Sequence, residues 1–160
     1  MASSGVSLNW GGLDRLVERG GKRLAAQRRN LLNAVGETLV SGTLERFENE
    51  EDPEGKKWVP SGRGGKTLQK TGELRSSIDY AVTQDGVLVG SNKKYARIHQ
   101  EGGTIRPKKG KYLKFKGRDG KDVFVKEVTI PARPYLGISK ADREEVEGVI
   151  QDYMEDCFKE

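Results

Sequence analysis

Apolar positions recur at spacings of three, four and seven along the first third of the chain. Leu13, Leu16 and Val17 begin the series, and Leu24, Leu31, Leu32, Val35, Leu39 and Phe47 continue it. That period predicts an N-terminal helical region within residues 1–47. Asn9 or the glycines after it start the helix, and Asp14 and Glu18 suit an early turn. Gly20-Gly21 interrupts it, because a glycine inside a helix costs about 1 kcal/mol against alanine. The second piece, 22–47, spans roughly 39 Å at 1.5 Å per residue, long enough to lie across a sheet or reach a neighbour.

The period vanishes over residues 48–70, which read as a loop. Glu50 to Lys57 is turn chemistry around Asp52-Pro53 and Gly55, and 61–66 is a polar glycine-rich stretch. Loops of this length inside a domain tend to be functional or mobile. Trp58 is stranded between the two stretches and is expected to cover an edge of the core.

Strand alternation takes over at Ile78, Tyr80 and Val82. Gln84-Asp85-Gly86 makes a hairpin turn, and 87–90 returns as the partner strand. Residues 93–100 form a short helix that Gly102 ends in a left-handed cap. Two further strands, 112–116 and 122–125, flank the Asp119-Gly120 turn, and 126–130 extends the return strand. Pro131 and Pro134 break the sheet. Ser139 with Asp142 three residues on is a near capping box for a last helix, whose stripe is Val146, Val149, Ile150, Tyr153, Met154 and Cys157.

This order predicts an α+β fold: an antiparallel sheet of two hairpins packed by a long N-terminal helix and a C-terminal helix. Residues 1–160 are expected to form one domain. A β-rich core occupies 71–138 with a basic hairpin at 106–130, and the C-terminal helix occupies 139–160.

Composition narrows the function. Apolar residues make up 34% and charged residues 33%, with 21 glycines, so the apolar surplus is small and help from partner subunits is expected. The chain has no apolar run of about 18 residues, so no membrane helix is expected. Met1 to Gly5 lacks the basic and apolar pattern of a secretory signal, which predicts a cytosolic protein. A single cysteine and a single histidine, Cys157 and His99, leave no disulfide, no zinc cluster and no second imidazole. No cofactor is expected.

Candidate chemistry is sparse. His99 is the one group able to act as a base near neutral pH, but no nucleophile motif accompanies it, so it is read as a structural hydrogen-bonder beside Tyr95. The carboxylates between Glu48 and Glu54 match no calcium loop and are read as a solvated turn. Gly65-Lys66-Thr67 matches the end of a phosphate loop, but Pro60 stands where its first glycine belongs.

Charge is uneven. The net formal charge is +5, from 29 basic and 24 acidic residues, yet 106–126 is strongly basic and the last twenty residues are acidic. Lys114 and Lys116 alternate with Leu113 and Phe115, giving one cationic and one apolar strand face. Three readings stand for this hairpin: lysines guarding an exposed edge, contact with an acidic protein surface, or contact with DNA phosphates.

Several segments, in order, resemble the phage virion morphogenesis proteins, the tail-completion proteins typified by Mu-like phages. They are Arg46-Phe47 followed by Glu50, Asp52-Pro53, Gly55 and Trp58-Val59-Pro60; Leu68 with Thr71-Gly72, Leu74 and Ser77-Ile78; Val89-Gly90-Ser91 with Tyr95-Ala96 and Ile98 to Gly102; and Ile130-Pro131-Ala132-Arg133-Pro134-Tyr135-Leu136-Gly137 with Ser139. The resemblance covers residues 46–139. It implies a non-enzymatic structural protein of the virion neck or tail end that finishes the tail and joins it to the head. Related neck proteins form rings, commonly hexameric, around the DNA channel. The partners implied are further copies of the chain, the tail tube and the head connector, with DNA nearby and no membrane. The implied location is the host cytoplasm during assembly, then the virion neck.

Within this frame Trp58, Gly72, Leu74, Tyr95, His99, Gly102, Arg133 and Pro134 are expected to serve the fold. Gly72 and Gly102 meet backbone requirements, and Arg133 binds carbonyls or carboxylates near the last helix. A ring needs two different patches that meet. Lys114, Lys116 and Arg118 on the hairpin, and Glu144, Glu145 and Glu147 on the last helix, are expected to be those patches. An alternative is a DNA-contacting neck adaptor that uses 106–126.

Overall fold

The computed structural model describes residues 5–9, 22–117 and 119–158. Its elements are β1 (Gly5–Asn9), α1 (Lys22–Asn49), α2 (Glu73–Ser76), β2 (Ile78–Val82), β3 (Gly86–Ser91), α3 (Ala96–Glu101), β4 (Gly103–Ile105), β5 (Leu113–Lys116), β6 (Asp122–Val125), β7 (Val128–Ile130) and α4 (Lys140–Phe158). The fold is α+β with small antiparallel sheets and the two expected long helices.

α1 is the centre of the molecule. At 28 residues it extends roughly 42 Å, and it packs against the β1-β3-β2 sheet and against α4. Leu31, Leu32, Val35, Leu39 and Phe47 are buried along it and meet Ile78, Val87 and Val89 of the sheet and Val146 of α4 in one core. Two glycines permit this closeness. A Cβ on Gly36 would strike the Tyr80 ring, and one on Gly42 would strike the Asp142 carboxylate. They lie six residues apart, on different sides of the helix.

The N-terminus differs from expectation. Asn9 ends a strand instead of starting a helix: β1 pairs antiparallel with β3, Gly5 opposite Gly90 and Asn9 opposite Gly86. The early helical turns expected around Leu13, Leu16 and Val17, and the break at Gly20-Gly21, lie outside the described residues.

The second half also departs from two simple hairpins. β2 and β3 pair as expected, and β5 pairs with β6. Residues 128–130, however, do not continue β6; as β7 they pair with β4. Because β4 leads outward and β7 returns, 103–130 forms one arm, with the β4–β7 ladder at its root and the β5–β6 hairpin beyond. Seven residues, 106–112, bulge from the outgoing side against only Lys126 and Glu127 on the return.

Candidate functional site

The sequence blocks from Arg46 to Ser139 converge on one interior network. Arg46, near the end of α1, is buried and donates from three nitrogens. Its Nη1 reaches Asp142 Oδ2 at 2.6 Å, its Nε reaches the Tyr135 carbonyl at 2.9 Å, and its Nη2 bonds Thr43 Oγ1 and the Gly137 carbonyl at 3.0 and 3.1 Å. Asp142 in turn accepts from the Ser139 N–H at 2.7 Å, while its own N–H donates to Ser139 Oγ at 3.0 Å. The expected capping box is formed, and its carboxylate also neutralises Arg46. A buried ion needs this many partners, since one left unpaired costs several kcal/mol.

Around it the loop 50–60 is laced to the strap 131–137. Trp58 is buried as expected, with its ring edge-on to Phe47 at 5.5 Å and its Nε1 donating to the Pro134 carbonyl at 2.8 Å. Tyr135 lies 5.2 Å from Phe47, is fully buried, and donates its hydroxyl to the Ala96 carbonyl. Arg133 holds the carbonyls of Val59 at 2.7 Å and Pro60 at 3.3 Å, and burial lowers its pKa from the usual value. Gln100 closes the other side: its Oε1 accepts from the Tyr135 and Leu136 N–H groups and its Nε2 donates to the Leu136 carbonyl.

The remaining motif residues frame this network. Gly102 has φ +73° with ψ 179°, an extended conformation of positive φ instead of the left-handed cap expected there. A Cβ on Gly102 would lie 2.7 Å from the Ala132 nitrogen, so close passage of the strap demands glycine. Gly72 does adopt the left-handed conformation, φ +74° and ψ −6°, and leads into α2, where Leu74 is buried. Glu50 accepts from the Thr67 N–H, and hydrogen bonding to Thr67 lowers its pKa.

His99 sits among backbone and aromatic contacts. Its carbonyl accepts from the Arg133 N–H, and the Tyr95 ring stands edge-on to its imidazole at 6.0 Å. Nδ1 is buried with no hydrogen-bond partner among the described residues. Burial, and then the Arg133 charge, push its pKa below the ordinary 6.5. Among the described residues no group of three metal-ligating side chains occurs, and no helix is long and apolar enough to cross a membrane.

The surface is different in character. On the arm Phe115 is 45%, Tyr112 52% and Phe124 59% exposed. Lys114 and Lys116 both bond Asp122 at 2.8 Å and lower its pKa, and the Lys114 ammonium lies 5.5 Å from the Phe124 ring. Arg106 pairs with Glu127. Lys108, Lys109 and Lys111, all in the bulge, form no ion pair among the described residues. Arg118 lies outside those residues. Glu144, Glu145 and Glu147 are exposed on α4, where Glu144 pairs with Lys140.

Trp58, Arg133 and the capping box stand in the network where the sequence pattern points, whereas His99, expected to hydrogen-bond through its side chain, joins it only through its backbone carbonyl. Sequence reasoning did not single out Arg46, Gln100 and Tyr135, which carry most of the network. The available signal was their place inside the motif blocks.

The sequence model of the phage virion morphogenesis family matches residues 8–155. The chain belongs to this family. Among its relatives, the FluMu G protein 2 of a Mu-like prophage in Haemophilus influenzae is 33% identical over 147 residues, covering 92% of this chain and 89% of the relative. Protein G of Escherichia phage Mu, whose name gives it a provisional role in capsid assembly, is 31% identical over 135 residues, covering 74% of each chain. No solved structure matches the chain significantly. As a member of the virion morphogenesis family, the chain has a structural role in phage assembly. The motif residues build the body of this protein.

Proposed function

We propose that this chain completes the phage tail and joins it to the head, acting without catalysis as a ring of identical subunits. It assembles in the host cytoplasm and stays in the virion neck, between the tail tube and the head connector. The observation that carries this reading is the division of labour in the fold. The motif residues are committed to internal bonds, while the arm exposes Tyr112, Phe115 and Phe124. Exposed aromatic groups clustered on a projecting element fit a subunit that buries surface on assembly.

Deleting the gene from a phage that encodes this chain tests the reading by electron microscopy. Filled heads and unjoined tails are expected, with joining restored by adding purified protein to the lysate. Absence of normal capsid shells would overturn tail completion in favour of an earlier role in the head.

A further inference from the structure

The arm separates its side chains onto two faces. Leu113 stands opposite Val125 and Phe115 opposite Val123, so these four share one face. Lys114, Lys116, Asp122 and Phe124 share the other. The first face is wholly apolar, and its Phe115 is exposed. A two-stranded ribbon is marginal by itself in water, and covering this face would stabilise it.

α4 offers a surface of opposite character. It carries seven acidic residues against Lys140 and Arg143. Among the described side chains of its apolar stripe, Val146 is fully buried and Val149, Ile150, Tyr153 and Met154 are half-covered. Glu147 stands three residues before Ile150 and seven before Met154, so an acidic border runs beside the half-covered apolar strip.

We infer that the arm of one subunit clasps α4 of a second copy of this chain. The ribbon's apolar face seats on the half-covered stripe, and Lys108, Lys109 and Lys111 face Glu144, Glu145 and Glu147. The inference rests on reading the chain as a self-assembling ring, and it names the joint. The structure moves the attraction from Lys114 and Lys116, which share Asp122, to the bulge lysines, which have no counter-ion among the described residues. Arm and α4 are different patches, so each subunit gives one and receives one, as a closed ring requires. Charge selects the partner and its register, and the apolar face holds it.

A charge swap read by light scattering tests this, with circular dichroism and thermal melting confirming that each variant folds. One variant carries Lys108→Glu, Lys109→Glu and Lys111→Glu; the other carries Glu144→Lys, Glu145→Lys and Glu147→Lys. All six positions are exposed. Each triple variant alone is expected to lose the assembled species. Mixing the two, or joining both triples in one chain, is expected to restore it. Phe115→Ser is expected to weaken assembly while leaving its salt dependence unchanged. If wild type assembles and both triple variants assemble equally well, the arm–α4 joint is overturned and the ring stands. The same holds if the arm triple instead abolishes a steeply salt-dependent binding to arbitrary duplex DNA, which would make the arm a phosphate contact. A wild type that never leaves the monomer overturns the ring and the joint together.

Discussion

Arg46 and Asp142, 96 positions apart in sequence, meet at 2.6 Å with only 6% and 4% of their side chains exposed. The pair locks the end of α1 to the start of α4 and to the strap between them. Asp142→Ala would leave the Arg46 charge buried and unmatched, and is expected to cost about 3–5 kcal/mol. Adding Arg46→Met to that variant should recover part of the loss. Urea unfolding of the two variants checks both expectations; a single variant within experimental error of wild type would show the pair to be dispensable.

Glycine-to-alanine changes should have opposite signs at two helical positions. Gly148 in α4 is exposed with nothing near its missing Cβ, so Gly148→Ala is expected to stabilise by roughly 0.5–1 kcal/mol. Gly36 faces the Tyr80 ring, so Gly36→Ala is expected to destabilise by about 1–3 kcal/mol despite its better helix propensity. Melting temperatures of the two variants on either side of wild type would confirm the contrast.

Much of this arrangement is legible in the sequence. The 3.6-residue period gives α1, the Gly86 turn gives β2–β3, and Ser139 with Asp142 gives the start of α4. β1 was not legible, because Gly5–Asn9 offers only Val6 and Leu8 as apolar positions and its partner strand lies about eighty residues away. Residues 128–130 read as a continuation of β6 because three residues carry no register of their own; only the ladder to Gly103–Ile105 sets them apart. Local pattern also cannot reveal that Arg46 and Asp142 are partners, since Asp142 reads as a cap for its own helix and Arg46 lies 96 positions away.

His99 should make stability depend on pH in one window. Its folded pKa lies below 6.5 because burial disfavours the imidazolium and Arg133 repels it. The unfolded chain therefore binds more protons as pH falls below about 6.5, and stability declines from there down to the folded value. Above that window His99 is neutral in both states and contributes no slope. His99→Gln is expected to remove this decline while leaving the fold and assembly largely intact. Denaturant midpoints at pH 7 and at pH about 5.5, for both proteins, provide the check. An equal decline in the variant would assign the slope to other groups, and loss of assembly in a folded variant would mark His99 as a contact.

The body is held by its own motif residues, and the proposed role needs a surface built to join copies of the chain. Light scattering of the purified protein across a concentration series, at low and moderate salt, measures this most directly. One discrete ring-sized species is expected, weakening as salt screens the attraction between arm and helix. A monomer at every concentration and salt would contradict the proposed role.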